Sequence, residues 1–219
     1  MKVEIYSDIA CPWCYIGKHR FERALSAFPD RAAVEVVYQP YQLDPQAPAV
    51  ASSHRAYLDS RYGPGSAAMD EKVAAIGAGE GIGFDFEHAL HVNTLLGHRL
   101  LHLARTEYGP ALQAALKEKL FEARFAKGGD VGDPEQLADL AGQVGMDRAR
   151  AAAYLASDEG AKEVAAQLAE AREIGVTSVP TYVFEGRWAV SGAQEAETFR
   201  AVLDEVAANS DKEPLSDDE

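Results

Sequence analysis

The sequence predicts an α/β fold, a four-stranded sheet with a large all-helical domain inserted between its second and third strands. Three observations carry this reading. Two strand-like segments, Lys2–Tyr6 and Val34–Gln39, flank one long amphipathic helical stretch near the N-terminus. From Leu43 to about Ala156 the pattern is helical throughout, punctuated by Pro and Gly. Strand patterns return at Thr181–Phe184 and Trp188–Val190, and a helix closes the chain.

Lys2–Tyr6 alternates as a short strand, and after the turn Pro29-Asp30-Arg31 the β-branched and aromatic run Val34–Gln39 supplies a second. A long helix and no hairpin turn lie between them, which predicts parallel neighbours in a right-handed βαβ unit. Inserted helices are predicted over Ser52–Arg61, ended by Gly63-Pro64-Gly65, and over Ala67–Gly79, followed by a Gly-rich loop. A third runs from Asn93, as N-cap, to Thr106, and a fourth from Ala111 to Lys127, stopped by Gly128-Gly129. A fifth runs from Asp133-Pro134 to Gly142, and Asp147 caps a shorter one. No strand pattern or internal repeat interrupts this block. Ser157 is expected to cap a helix reaching Glu173, and Glu185-Gly186-Arg187 to join the last two strands as a hairpin. The final helix, Gln194–Ala207, carries Phe199, Val202, Leu203 and Val206 on one face. Assembled in order, these elements make a thioredoxin fold. Residues 1–42 and 157–209 form its thioredoxin-like domain, 43–156 the helical insertion, and 210–219 a disordered acidic tail.

Both cysteines of the chain stand in Cys11-Pro12-Trp13-Cys14, between the first strand and its helix. Three residues apart in a first helical turn, two thiols lie close enough to exchange between dithiol and disulfide. Unpaired backbone amides and the helix dipole favour negative charge there, so the Cys11 thiol is expected to be more acidic than a free cysteine at about 8.5. Steps of three and four through Cys14, Gly17, Phe21, Leu25 and Phe28 place Cys14 on the buried stripe, with Lys18, His19, Arg20, Glu22 and Arg23 on the other side. Cys11 is then the exposed attacking thiolate at the helix tip and Cys14 the resolving thiol. Pro12 suits the first helical position, where no amide hydrogen is needed.

Blander readings compete at each of these residues. A zinc site needs about four ligands and a second pair at metal spacing, which the sequence lacks. A structural disulfide here would close a tiny loop and add little, and two ordinary buried cysteines would have no chemistry at all. His98 and His102 are four apart, but Arg99 stands where His-Glu-x-x-His requires glutamate, so they read as ordinary helix-face histidines and no metal is expected. Asp8, three residues before Cys11, reads as a turn cap or a partner in proton transfer.

The formal charge of −14, from 21 basic and 35 acidic side chains, argues against nucleic acid or an anionic membrane as partner. No run approaches the roughly 18 apolar residues of a membrane span, and the opening residues carry no apolar signal region. A cytoplasmic location is expected, and there a Cys-x-x-Cys is more often catalytic than structural.

The block Ser7-Asp8-Ile9-Ala10-Cys11-Pro12-Trp13-Cys14-Tyr15-Ile16-Gly17-Lys18, with Val179-Pro180 and Ser191-Gly192-Ala193-Gln194, resembles the DsbA superfamily, and within it the FrnE-type thioredoxin-fold oxidoreductases. The similarity extends over nearly the whole chain up to the acidic tail. It implies a thiol:disulfide oxidoreductase acting on a disulfide- or thiol-containing protein or small molecule. It also implies a cis bond before Pro180, facing the cysteines, with the Val179 backbone offered to an extended substrate beside Pro12 and Trp13. Ser178 departs from the glycine expected before Val-Pro. Relatives that use glutathione place its γ-glutamyl carboxylate at the start of the last helix, which makes Ser191, Gly192, Ala193 and Gln194 a candidate thiol-cosubstrate site. As a plain helix start they need no ligand. Glutathione or another low-molecular-weight thiol is thus an expected cosubstrate, with no bound cofactor. Similar proteins pack the helix carrying Asn93 and His98 over the active site, which would make both substrate-lining.

Two alternatives stand beside this one. A glutathione-dependent isomerase or kappa-class-like glutathione transferase is similar in fold but typically has serine at the position of Cys11. A non-catalytic peptide-binding or holdase module would use the groove around Trp13 and need neither thiol.

Overall fold

The computed structural model describes residues 1–63 and 65–209, so the expected acidic tail, 210–219, lies outside the described residues. At the centre is β1 (Lys2–Ser7), which pairs in parallel with β2 (Glu35–Pro40), from Lys2 opposite Glu35 to Ser7 opposite Pro40. Its other edge pairs antiparallel with β5 (Thr181–Phe184), which in turn pairs with β6 (Trp188–Ser191). The order β2-β1-β5-β6 is that of a thioredoxin fold. At the β5–β6 hairpin Glu185 and Gly186 both adopt positive φ, 52° and 65°, the turn whose twist suits the flanking strands.

Helix α1 (Pro12–Ser26) lies on this sheet, with α9 (Ala196–Asn209) beside it. Phe21 joins them: its ring centroid is 5.3 Å from Tyr182 and 5.5 Å from Phe199. Gly17 allows the close approach, because a Cβ there would stand 2.5 Å from the Tyr182 hydroxyl and 3.0 Å from the Pro180 ring. The predicted stripe of Cys14, Gly17 and Phe21 is therefore buried, but the opposite side is not free. Lys18 is 4% exposed and Arg20 9%, against the expectation that both face solvent. The reason is a second cover, since the insertion packs α1 from the other side.

That insertion comprises α2 (His54–Tyr62), α3 (Ala67–Gly79), α4 (Leu95–Leu103) with a π-helical turn at Ala104–Tyr108, α5 (Pro110–Ala126), α6 (Pro134–Gln143) and α7 (Arg148–Leu155). Leu100, Leu116, Leu120 and Leu137 form its core and take in Ile9 from the thioredoxin side. A second cluster joins Cys11, Cys14, Tyr15 and Ile16 to Val73, Phe86, Phe121 and Phe125. The cysteines sit in the apolar seam between the two parts of the chain.

Several boundaries depart from expectation. The block predicted to be wholly helical contains a two-residue antiparallel ladder, β3 (Ser52–Ser53) with β4 (Leu90–His91), too short to show a period of two. Helix α2 accordingly starts at His54, capped by the Ser53 hydroxyl, which accepts from the Ala56 amide. Asn93 accepts from the Leu95 amide, but the helix begins after Thr94. Ser157 does not cap the next helix, α8, which runs over Ala161–Glu173. The Arg99 guanidinium donates to the carbonyls of Tyr154, Ser157 and Glu159, holding the chain in a non-helical course before α8 can start. Asp133 and Asp147 do cap α6 and α7. The last helix begins at Ala196, not Gln194, because Gly192 takes a φ of 84° and the Gln194 amide turns back to the Gly192 carbonyl.

Candidate active site

Pro12 opens α1 at its first position and Cys11 is the N-cap, with extended φ and ψ of −96° and 112°. The Cys14 amide donates to the Cys11 carbonyl at 3.0 Å, so one turn of backbone brings both free thiols together. The Val179–Pro180 bond is cis, and the Cys11 thiol donates to the Val179 carbonyl at 3.7 Å. Ser178 takes no positive φ, so this turn makes no demand for glycine there.

Two expectations for Cys11 are corrected. It is only 4% exposed and Cys14 2%, so exposure does not separate their roles; Val179 and Ala193 pack against the cluster that holds both. Their asymmetry lies in position, Cys11 facing the Val179 turn and Cys14 set within the helix. The Cys11 thiol is also pushed well above its ordinary value rather than lowered. The Cys14 thiol hydrogen-bonds it, burial disfavours charge, and a charge on Cys14 repels a second; the Cys14 amide alone acts the other way.

Beneath the pair lies a buried polar network. The Asp8 carboxylate accepts from the Thr94 hydroxyl at 2.9 Å, the Leu43 amide at 2.7 Å and the Ala10 amide at 3.2 Å. A carboxylate can only accept, so His98 Nε2, at 3.2 Å, carries the proton between them. Burial opposes the Asp8 charge, but His98 and the two amides outweigh it and hold the carboxyl below its usual range. Burial also pulls the His98 imidazole down, with Asp8 opposing. His98 is thus a partner of Asp8, and among the described residues no cluster of three or more His, Cys, Asp or Glu is placed to hold a metal.

Two groups here were missed by sequence reasoning. Lys117 is fully buried, its ammonium 3.4 Å from the Ser7 carbonyl and 4.9 Å from the Phe121 ring centroid. Burial pushes it down to about 8 against the opposing charges of Cys14, Asp8 and Cys11. Arg124, two turns further along the same face of α5, is 2% exposed, with its guanidinium 5.3 Å from the Phe125 ring centroid. A signal existed: Gln113, Lys117 and Arg124 recur at steps of four and seven, on the stripe of Leu116 and Leu120.

Pro12 and Trp13 line one wall of a cavity of about 300 Å³, closed on the other side by α2, α3 and α5. Trp13 is 37% exposed. Asn93 lies away from this cavity's wall, bonded to Gln42 and to the Pro45 and Ala47 carbonyls. The segment Ser191–Gln194 lies beside the Pro180 turn, but its amides are not the open helix start expected. The Gly192 amide donates to the Pro180 carbonyl at 2.7 Å and the Gln194 amide to the Gly192 carbonyl at 2.9 Å, while the Ala193 carbonyl accepts from Arg20. No helix among the described residues is long and apolar enough to cross a membrane.

Set against known proteins, residues 2–204 match the family model of DSBA-like thioredoxin domains. The uncharacterized protein YwbO of Bacillus subtilis (strain 168) is 28% identical over 208 residues, 93% of this chain and 96% of that one. The probable DsbA oxidoreductase SCO1869 of Streptomyces coelicolor is 39% identical with a TM-score of 0.88, over 99% of this chain and 93% of that one. The cytosolic disulfide reductase DsbM of Pseudomonas aeruginosa, solved with GSH, shares the fold at 17% identity and a TM-score of 0.68, over 95% of this chain and 100% of that one.

Proposed function

From a chain that belongs to the DSBA-like thioredoxin-domain family, we propose a thiol:disulfide oxidoreductase that works through its own dithiol, Cys11 and Cys14. The observation that carries this reading is the pairing of the two thiols across one helical turn, with Cys11 directed at the carbonyl of the cis Val179–Pro180 turn. The Cys11 thiolate attacks one sulfur of a substrate disulfide, forming a mixed disulfide and releasing the other sulfur as a thiolate. The Cys14 thiolate then attacks the Cys11 sulfur, forming the Cys11–Cys14 disulfide and releasing the second substrate thiolate. Two electrons pass from protein to substrate, and the reverse sequence oxidises a dithiol. Lys117, an ammonium buried beside the pair, offsets the thiolate charge as it forms. An extended substrate would lie along the Val179 turn against Pro12 and Trp13.

The cytosolic disulfide reductase DsbM is the precedent for placing this chemistry in the cytoplasm, and its GSH makes a low-molecular-weight thiol a reasonable cosubstrate. A glutathione-dependent isomerase would not need Cys14, whereas the proposed cycle does. Replacing Cys11 with Ser is expected to abolish disulfide turnover, and Cys14→Ser to accumulate a mixed disulfide at Cys11 visible by mass spectrometry. Full turnover in Cys11→Ser would sink the assignment, and full turnover in Cys14→Ser would favour the isomerase or transferase branch.

A further inference from the structure

The cavity beside Trp13 contains a charge that the redox cycle does not use. Among the described residues, the Nε and Nη1 atoms of Arg124 are buried and have no oxygen to donate to, and Arg124 makes no ion pair. A buried guanidinium without an acceptor is costly to the fold and is kept where something else supplies one. The other charged groups lining the cavity are committed. Asp8 is bonded to Thr94 and His98, Asp70 to Arg55 at 2.6 Å, and Asp44 to the Gln46 amide at 3.0 Å. His91 and His54 are both pulled down by burial, so neither adds a competing cation near neutral pH. Arg61 lies at the rim, with its Nε donating to the Tyr62 hydroxyl.

The rest of the wall is largely apolar. Trp13, Leu43, Tyr62 and Met69, four of the seven large apolar side chains that stand exposed among the described residues, all line this one cavity. A volume of about 300 Å³ admits a small molecule and not a folded chain.

Resting on the oxidoreductase reading above, we infer that this cavity is a binding subsite for a small disulfide or thiol bearing a carboxylate, with Arg124 as the carboxylate's anchor and the Trp13 wall covering the apolar body. A monoanion suits it. The three nearby carboxyl groups and the chain's charge of −14 disfavour a dianionic phosphate. Burial lowers Arg124 only to about 10, so the guanidinium keeps its charge at neutral pH.

The test uses the half-amide of 3,3′-dithiodipropionate, an acid with a single carboxylate, and the neutral diamide, titrated by calorimetry into the full chain carrying Cys11→Ser and Cys14→Ser, where no exchange can occur. The acid is expected to bind at least about tenfold tighter than the diamide, and Arg124→Met to bring that ratio close to one. Arg124→Lys, which keeps the charge without the planar fork, should retain part of the preference. Without ligand, Arg124→Met is expected to melt at a higher temperature, because a buried guanidinium with N–H groups lacking an acceptor is gone. Equal binding of acid and diamide before any change at Arg124, or an unchanged ratio in Arg124→Met, overturns the subsite. Turnover of the same two disulfides by the unmodified chain separates the two claims. If neither is turned over through Cys11 while the acid preference persists, the redox reading fails and the subsite stands.

Discussion

Cys11, the proposed nucleophile, stands in a place that resists its charge. The helix start favours a thiolate, but the neighbouring Cys14 thiol and burial outweigh it and push Cys11 well above its ordinary value. Removing Cys14 removes the first of these causes, so in Cys14→Ala the alkylation of Cys11 should rise with pH earlier than in the parent. A stopped-flow pH profile with iodoacetamide measures this; an unshifted or later profile contradicts it. The sequence showed the two thiols and their spacing because both are local. It did not show the pairing of Asp8 with His98, which lie 90 positions apart and meet only when α4 packs onto the first strand's end. Nor did it separate Lys117 and Arg124 from an ordinary amphipathic face, since a long cation beside leucines reads equally well as solvated.

At the scale of elements, α1 is held between two partners. The sheet side was legible from the stripe through Cys14, Gly17 and Phe21, and the insertion side was not, because its contacts there mix apolar rings with polar groups. On α5, Glu118 accepts from Tyr15 at 3.0 Å and from Lys18 at 2.6 Å, and His19 Nε2 lies at 3.1 Å, gathering three α1 side chains on one carboxylate. Burial opposes its charge, but His19 and Lys18 prevail and hold Glu118 down to about 2 from an ordinary 4.5. A carboxyl depressed in the folded state contributes stability that is full above its unfolded value and is lost as pH falls through its folded one. The contribution should therefore be present above pH 4.5 and disappear toward pH 2. Glu118→Gln is expected to cost about 1–3 kcal/mol at neutral pH and to flatten the acid limb of the stability curve in that window. Denaturant unfolding across pH would check it, and an acid limb identical to the parent's would contradict it.

For the whole molecule, the order of strands and the place of the insertion followed from periodicity and punctuation, which report on each element singly. What joins the halves did not follow. Tyr15 stacks on Phe121 at 4.9 Å between centroids, and Phe125 lies against Phe84 and Phe86, so the cysteines are walled by residues from both parts of the chain. Such a seam is apolar from either side and leaves no mark in one helix's pattern to tell a shared core from a private one. Its consequence is that the two thiols sit in a dry setting, and under the proposed function a substrate sulfur would reach them beside the Val179 turn and the Trp13 wall.

The central claim, that Cys11 and Cys14 form a reversible redox couple, is tested most directly by equilibrating the protein in graded glutathione buffers and trapping free thiols. A single two-electron transition is predicted, with a potential between about −270 and about −120 mV, nearer the first for a reductase and the second for a disulfide donor. A pair that stays reduced or oxidised across the whole series, without exchange, would contradict the account.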